Sequence, residues 1–319
     1  MKLVKLFLAV LSLVASAGAL ADDFPSHPLT MVVPFPPGGS VDTVARQIAA
    51  GLSRHINESV VVENKVGAGG TIGSGAVAKA PPDGYTILLG TTSALAISPA
   101  VYKDVPYDPI KSFTPIIEVT RGPFVLSVRP TLGVTDLKGL IAMAKQNPGK
   151  LNGGSAGKGS VHHLALEMFK KAAGVDIVHV PFKGGAPAWT ALLGGQIDLL
   201  FDSMPGPLLF PGRVVPIAVA GPKRLPGLPN VPTFAEAGLP DVSTVFFWAI
   251  VAPADTPAEV VAKLNNALGA TLRDPAVTEA FAKQSMETSP GTPEEIAEFM
   301  RREVPRWRAA AKQAHLGED

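Results

Sequence analysis

The chain has 319 residues, of which 46% are hydrophobic and 17% are charged, and it contains no cysteine. This is a globular composition, long enough for two domains, and the absence of cysteine excludes disulfides and thiolate chemistry. The formal net charge of +1 gives no reason to expect a nucleic-acid partner.

The first residues have the pattern of a cleavable secretory signal. Lys2 and Lys5 form a basic region, an apolar run follows at 6–14, and small residues precede a cleavage point near Ala21. The apolar run is too short for a membrane span. We therefore predict a signal peptide over residues 1–21 and a mature protein that is exported across the inner membrane. Loss of the two lysines leaves 28 − 2 = 26 basic residues against 27 acidic ones, a net charge of −1.

The stretch 31–52 predicts a strand, a glycine loop at 36–39 and a helix. Ser40 suits the N-cap of this helix, and Asp42 places a negative charge in its first turn. Apolar residues recur at helical spacing at Val41, Val44, Ala45, Ile48, Ala49 and Leu52. The N–H groups of such a helix start lack partners and lie at the positive end of the helix dipole, which predicts an anion site.

The next segments predict a parallel sheet. The elements are a strand at 60–62, a glycine loop at 64–73, a helix at 71–80 and a strand at 85–89. This βαβαβ order favours right-handed parallel connections. The stretch 98–113 is polar and interrupted by prolines, which predicts a surface excursion.

Two apolar strands, at 114–119 and 124–128, flank residues 121–123, which we interpret as a crossing between domains. A second α/β series then follows. Its elements are a helix at 136–146, a glycine loop at 151–160, a helix capped by Ser160, and strands at 177–181, 197–201 and 214–220. The tail predicts a strand at 245–251 and helices that start at 256–259, with proline in the first turn, and at 292–295, with a capping box.

Together these elements predict an α/β fold of two lobes, each a mostly parallel sheet flanked by helices. The predicted first lobe comprises residues 22–120 and 228–319, and the second comprises residues 121–227. Two chain crossings join the lobes, which is the arrangement of a hinged clamp.

Motifs for nucleotide or hydrolytic chemistry are absent or incomplete. The segment 153–160 departs from a P-loop at Asn152 and Gly159, and 67–73 matches a dinucleotide fingerprint only with an inserted residue. No G-x-S-x-G elbow is present. Ser155, His163 and Asp202 can be imagined as a triad, but nothing in their spacing requires it. We therefore predict a protein that is not an enzyme and carries no cofactor.

Two adjacent histidines do not form a metal site. His162 and His163 point about 100° apart on a helix and cannot chelate one ion together. We expect one of them to be exposed and the other to pack or hydrogen-bond near the glycine loop. No metal is predicted.

The remaining feature that could bind a ligand is a pair of glycine loops, each of which leads into a helix with an N-terminal serine. In open α/β sheets, ligands bind at the carboxyl ends of the strands, where these loops lie. Backbone N–H groups and the hydroxyls of Ser40, Ser93, Ser155 and Ser160 are suitable donors for a carboxylate on each lobe. The sequence therefore predicts a small organic anion, such as a dicarboxylate, as the ligand.

Seven segments, read together and in order, carry a family resemblance along the whole chain. They are VPFPPGGSVD at 33–42, VVVENKVGAGGTIG at 60–73, PDGYTILLG at 82–90, NGGSAGKGSVHHLA at 152–165, VHVPFKGGAPA at 178–188, GGQIDLLFDSMP at 194–205 and VPTFAEAGLP at 231–240. With these motifs the chain resembles the Bug family, the TctC-like solute receptors of tripartite tricarboxylate transporters.

The resemblance implies a monomeric type II periplasmic binding protein, a Venus flytrap that closes on a carboxylated solute and delivers it to a membrane permease. The solute would be a di- or tricarboxylate, an aromatic acid or an acidic amino acid. The residues that the resemblance places at the ligand are Phe35, Gly38, Gly39, Ser40, Asp42, Ser155, Gly157, Ser160, His163, Gly184 and Asp202. Gly70 and Ser93 complete the predicted set.

Lys158 stands where the family usually has asparagine, and it either adds positive charge at the mouth of the site or lies in solvent. Two other functions stay open. A sensor subunit would present the same solute to a membrane kinase, and an exported hydrolase on a similar frame would turn over an ester or amide. The missing nucleophile motifs disfavour the hydrolase, whereas the sequence does not separate transport from signalling.

Overall fold

The computed structural model describes residues 24–203, 210–283, 286–314 and 316. The predicted signal peptide at 1–21 lies outside these residues. Among the helices described, none combines the length and the apolar character that crossing a membrane requires.

Nine strands form the sheet of the described residues. They are β1 (Leu29–Val33), β2 (Val60–Asn64), β3 (Thr86–Thr91), β4 (Phe113–Val128), β5 (Asn152–Ser155), β6 (Val178–Pro181), β7 (Leu199–Asp202), β8 (Val215–Ala220) and β9 (Val245–Pro253). Their order is β2-β1-β3-β9-β4-β7-β5-β6, and β8 pairs with β4. Strand β1 is parallel to β2 and β3, and β5 is parallel to β6 and β7, so parallel pairing is found at both ends of the sheet.

The helices flank this sheet. They are α1 (Ser40–Ile56), α2 (Thr71–Ala78), α3 (Ser98–Val101), α4 (Leu137–Gln146), α5 (Val161–Ala173), α6 (Gly185–Leu193), α7 (Ala258–Arg273), α8 (Pro275–Ala282) and α9 (Pro293–Gln313). A π-helical turn at Ser93–Ile97 leads directly into α3.

Strand β4 connects two lobes. It pairs with β9 as far as Pro123, and from Phe124 onward it pairs with β8 and then β7. The prediction of two separate strands is therefore wrong, because β9 keeps the backbone extended through Arg121 and Gly122. We call the half with β1, β2, β3 and β9 the first lobe and the half with β5 to β8 the second. The exact lobe boundaries, at 120/121 and 227/228, stay predictions.

Helix α1 buries the apolar face that its sequence predicts. Val44, Ala45, Ile48 and Leu52 have no exposed surface, and the helix packs against the sheet and α7. Full burial of one such aliphatic side chain contributes about 1.5–3 kcal/mol relative to exposure. This packing fixes the position of the helix N-terminus.

Several local predictions need correction. Ser40 is the first residue of α1 and not its cap, since Gly39 occupies the N-cap position. The first residues of the predicted second glycine loop form strand β5 instead. The glycines of this strand let the Leu166 side chain pack closely against it, since a Cβ at Gly153 would lie 2.8 Å from Leu166 Cδ1. Helix α7 has Pro257 at its N-cap rather than in its first turn. The N-cap role of Ser160 is confirmed.

The stretch 98–113, predicted to run over the surface, is partly buried. Ser98, Val101 and Tyr107 are buried, and α3 packs against the π-helical turn. Side chains at these three positions tie the segment to the first lobe despite its prolines. The capping box of α9, formed by Thr292 and Glu295, is confirmed.

Candidate functional site

A cleft lies between the two lobes, beyond the carboxyl ends of β1, β3, β6 and β7. Its empty space, counted together with the adjoining open solvent, is about 570 Å³. The lining residues are Phe35, Pro36, Gly39, Ser40, Val41, Thr91, Thr92, Ser93, Phe124, Ala156, Val161, His162, Gly184, Gly185, Ala186, Pro187, Ser203, Phe246 and Trp248. Ligands of open α/β sheets bind at this edge, so the cleft is the candidate site.

The N-terminus of α1 faces the cleft through Gly39, Ser40 and Val41. Gly39 has extended backbone, with φ −82° and ψ 173°, and no side chain caps the helix. The first N–H groups of a helix have no intrahelical acceptor. This helix end is therefore open to an anionic group in the cleft.

Asp42 braces the same loop from behind. Its carboxylate accepts the Gly38 N–H at 2.9 Å, the Asn64 amide at 2.9 Å and the Arg46 guanidinium at 2.9 and 3.0 Å. Burial pushes the pKa of Asp42 up, but the hydrogen bonds outweigh burial and hold the pKa below its ordinary value. Asp42 is thus a charged brace, and it is not part of the cleft lining.

The N-terminus of α6 faces the cleft from the second lobe. Gly184 is its N-cap, with φ +125°, and no side chain caps the helix. A Cβ at Gly184 would lie 3.0 Å from Pro36 Cδ, so only glycine permits this approach. The loops of the two lobes touch here, and the open ends of α1 and α6 converge on one region.

The N-terminus of α5 is closed by protein groups. Ser160 Oγ accepts the His163 N–H at 3.2 Å, and Ser93 Oγ from the first lobe accepts the Val161 N–H at 3.1 Å. The sequence predicts that the loop before this helix offers the second anion site. The open helix end of the second lobe belongs to α6 instead.

Ser155 is fully buried next to the cleft wall. Its Oγ lies 2.6 Å from His179 Nε2 and accepts the Gly157 N–H at 3.1 Å. The His179 ring stacks on the ring of His163, with centroids 3.7 Å apart. Burial, assisted by Lys170 and Lys158, lowers the pKa of His179 to about 4, so this imidazole is neutral at pH 7.

The imagined triad of Ser155, His163 and Asp202 is not assembled. Asp202 is paired with His162, whose Nε2 lies 3.3 Å from Asp202 Oδ2. The expectation of one exposed histidine is wrong, because Asp202 holds His162 in the cleft wall with only 14% of its side chain exposed. Within the described part of the chain, no cluster of three or more histidine or acidic side chains could hold a metal ion.

Three rings on the central strands form one wall of the cleft, and none of them is among the site residues predicted from the sequence. Phe124 of β4 lies 5.6 Å from Phe246 of β9, and Phe246 lies 5.5 Å from Trp248, between ring centroids. We call these three residues the aromatic wall. The His162 ring extends it, 4.9 Å from Phe124. The i, i+2 spacing of Phe246 and Trp248 was the only signal in the sequence that they share a face.

The predicted ligand-binding residues divide into two groups. Those that line the cleft are Phe35, Gly39, Ser40, Ser93 and Gly184. Those outside the lining are Gly38, Asp42, Gly70, Ser155, Gly157, Ser160, His163 and Asp202. Gly70 packs under Phe35, where a Cβ would lie 3.4 Å from Phe35 Cζ. The binding role of both groups stays a prediction. Lys158 also lies outside the lining, and its carbonyl accepts the Tyr102 hydroxyl.

The model of the family described as "Tripartite tricarboxylate transporter family receptor" matches residues 44–316. The protein BugT of Bordetella pertussis is 35% identical over 320 residues, which cover 98% of this chain and 98% of BugT.

Two solved structures of Rhodopseudomonas palustris proteins are similar over nearly their full length. Rpa4515, solved with adipate, is 40% identical with a TM-score of 0.88, covering 92% of this chain and 99% of that one. MatC, solved with bound malate, is 34% identical with a TM-score of 0.85, covering 90% and 99%.

Proposed function

The chain belongs to the tripartite tricarboxylate transporter receptor family, whose members are periplasmic solute-binding receptors, and from this premise we propose that it captures a small carboxylate between its two lobes and delivers it to the membrane permease of such a transporter. Adipate and malate in two related structures are consistent with a carboxylate.

The observation that carries the proposal is the convergence of two open helix N-termini on one cleft. Each helix end bears about half a positive charge together with N–H groups that lack acceptors. Among the described lining residues there is no lysine or arginine, so these helix ends are the main positive groups that face the cleft. A small anion is the ligand that this arrangement suits.

A thermal-shift screen of the mature protein tests the ligand class. The panel contains di- and tricarboxylates, aromatic acids, acidic amino acids and neutral sugars. A ligand at one hundred times its Kd adds about 2.7 kcal/mol of apparent stability, a shift that such a screen detects readily. Stabilisation by sugars alone would contradict the proposal. Native mass spectrometry of the protein as purified identifies any solute that is carried along.

Transport and signalling are separated by uptake of the labelled solute. Deletion of the gene should abolish uptake by intact cells, and the full-length gene should restore it. Normal uptake together with a lost transcriptional response to the solute would favour the sensor subunit instead. N-terminal sequencing of the cellular product tests the compartment, since a periplasmic protein should start near Asp22 and an unprocessed one at Met1.

A further inference from the structure

Among the described residues that line the cleft, His162 is the single titratable one. We infer that capture of a carboxylate is linked to the uptake of a proton by this histidine, an inference that rests on the proposed receptor function. The solute and the proton then bind together, so the affinity for the solute falls as the pH rises.

The ring of His162 lies beside the open end of α6. Its Nε2 would be 3.9 Å from a Cβ at Gly185, which is the first residue of that helix. The carboxylate of the proposed solute meets the N–H groups of the same helix end. The imidazole and the anionic group of the solute are therefore neighbours.

A carboxylate of the protein also lies at this end of α6. Asp202 Oδ2 would be 3.4 Å from the same Cβ at Gly185, and the Asp202 side chain is only 3% exposed. Capture of a solute brings a second negative group close to this buried one, and like charges at close range repel each other. Since Asp202 Oδ2 is 3.3 Å from His162 Nε2, a proton on the imidazole offsets that repulsion.

The imidazole has a nitrogen available for this proton. Nε2 faces Asp202, so the proton of the neutral ring is assigned to Nε2. Nδ1 has no hydrogen-bond partner among the described residues, and its lone pair is available to a second proton. The proton comes from the buffer and forms an N–H bond at Nδ1, so the complex gains one positive charge together with the anion.

The solute is the group that changes the charge around His162. Strand β4 contributes Phe124, whose ring is 4.9 Å away between centroids, and the described lining residues of the first lobe carry no titratable side chain. On α5 itself, Glu167 is 3.9 Å from His163 and binds Lys170 at 2.8 Å. The N-termini of α5 and α6 carry partial positive charge, which opposes a proton on His162 until an anion binds there.

Titration calorimetry of the mature protein in buffers of different ionisation enthalpy counts the protons. The probes are adipate, malate and benzoate, together with the most stabilising acid of the thermal-shift panel, and the ionisation of each free acid is subtracted. Between about pH 7 and pH 9 we expect uptake of a fraction of one proton per solute. Kd should rise with pH by up to about tenfold per pH unit, the limit for one proton.

Two outcomes of this titration are distinct. Binding of a carboxylate without proton uptake at any pH in this range overturns the inference and leaves the receptor function intact. Absence of binding by every carboxylate of the panel overturns the receptor function, and the inference with it.

Two histidines provide a matched pair of variants. His162→Gln keeps an amide beside Asp202 but cannot take up the proton, so proton uptake should vanish and Kd should become independent of pH. His55→Gln makes the same change at an exposed position in the last turn of α1, and it should keep the proton uptake of the wild type. Wild-type uptake in His162→Gln overturns the inference.

The NMR signal of the His162 ring in the wild type is a readout that needs no altered protein. Its titration midpoint should move to higher pH when the solute is bound. A midpoint that does not move overturns the inference, whatever the fold of the variants.

Discussion

Some side chains that support the cleft are buried outside its lining. Asp42 illustrates this, since it joins the Gly38 N–H, Arg46 and Asn64 into one network. The sequence identifies Asp42 as a first-turn acid, which is correct. It does not reveal the brace, because Asn64 is 22 positions away and reaches Asp42 only through the pairing of β1 with β2.

Removal of that brace should affect both stability and binding. We expect Asp42→Ala to lower the free energy of unfolding by about 1–3 kcal/mol, because the Gly38 N–H and the Asn64 amide lose their acceptor. The affinity for the best carboxylate should fall as well, since the loop that carries Gly39 loses its support. Denaturant titration and calorimetry measure the two effects.

The control for Asp42 is Asp136→Ala. Asp136 caps α4 by accepting the Gly139 N–H at 2.7 Å, and it lies outside the cleft lining. Its removal should cost about 0.5–2 kcal/mol of stability and leave the affinity unchanged. If both variants bind as the wild type does, Asp42 has no role in the site.

His179 predicts a specific pH dependence of stability. Its pKa is about 4 in the folded protein, compared with an unfolded value of 6.5. Between these values the unfolded chain binds a proton that the folded chain does not, so acid favours unfolding. This contribution to stability is present above pH 6.5 and is lost as the pH falls toward 4.

The variant His179→Gln tests this origin. Glutamine cannot take up the proton, yet it keeps a polar group beside Ser155. The fall in Tm between pH 7 and pH 4 should be smaller in the variant than in the wild type. Parallel pH profiles would assign the acid sensitivity to other groups.

The sequence predicts some features of the helix ends correctly and others not. The apolar face of α1 follows from its spacing, and the cap of α5 follows from Ser160. Ser40 and Ser160 look alike in sequence, but only Ser160 uses its hydroxyl as a cap. The difference arises because Gly39 already takes the extended N-cap conformation, which moves Ser40 into the helix.

An aspartate introduced at the N-terminus of α1 should compete with the carboxylate of the solute. Position 39 has φ −82° and ψ 173°, and a Cβ there would lie 3.7 Å from its nearest neighbour, Pro36 O, so a larger side chain fits. We expect Gly39→Asp to cap α1, to raise stability by a few tenths of a kcal/mol, and to weaken carboxylate binding at least tenfold.

The neutral variant Gly39→Asn separates the effect of charge from the effect of size. Asparagine caps as well as aspartate, but it does not repel an anion. Its affinity for the carboxylate should therefore lie between those of the wild type and Gly39→Asp. An unchanged affinity in Gly39→Asp would show that α1 does not bind the anion, and the proposed position of the carboxylate would have to be abandoned.

The composition of the cleft depends on the order of the whole sheet. Strand β9 is far from β3 and β4 in sequence but lies between them, and this brings Trp248 opposite Thr91. Periodicity assigns β9 as a strand without indicating its neighbours. The two-lobed α/β fold was therefore predictable from the sequence, whereas the aromatic wall was not. The lobe boundaries and the binding role of the loop residues stay predictions.

The two lobes also contact each other beside the cleft. Tyr102 of the first lobe donates its hydroxyl to the Lys158 carbonyl of the second at 2.9 Å. The single proton of Ser98 Oγ is shared between the Gly69 carbonyl of the first lobe at 2.9 Å and the Gly159 carbonyl of the second at 3.2 Å. Burial raises the pKa of Tyr102, which keeps the phenol protonated as a donor. These contacts link the two lobes, so separation of the lobes would break them.

Loss of one such bond should shift the protein toward an open form. A typical hydrogen bond contributes about 0.5–1.5 kcal/mol net, so Tyr102→Phe should reduce the closed-to-open ratio by about two- to tenfold. The tightest carboxylate should dissociate faster by a similar factor, since release requires opening.

Tyr107→Phe is the matched control, because its hydroxyl donates to the Ala94 carbonyl within the first lobe. Stopped-flow dissociation rates and the radius of gyration without ligand measure the effect. A wild-type dissociation rate in Tyr102→Phe would mean that opening does not depend on this contact between the lobes.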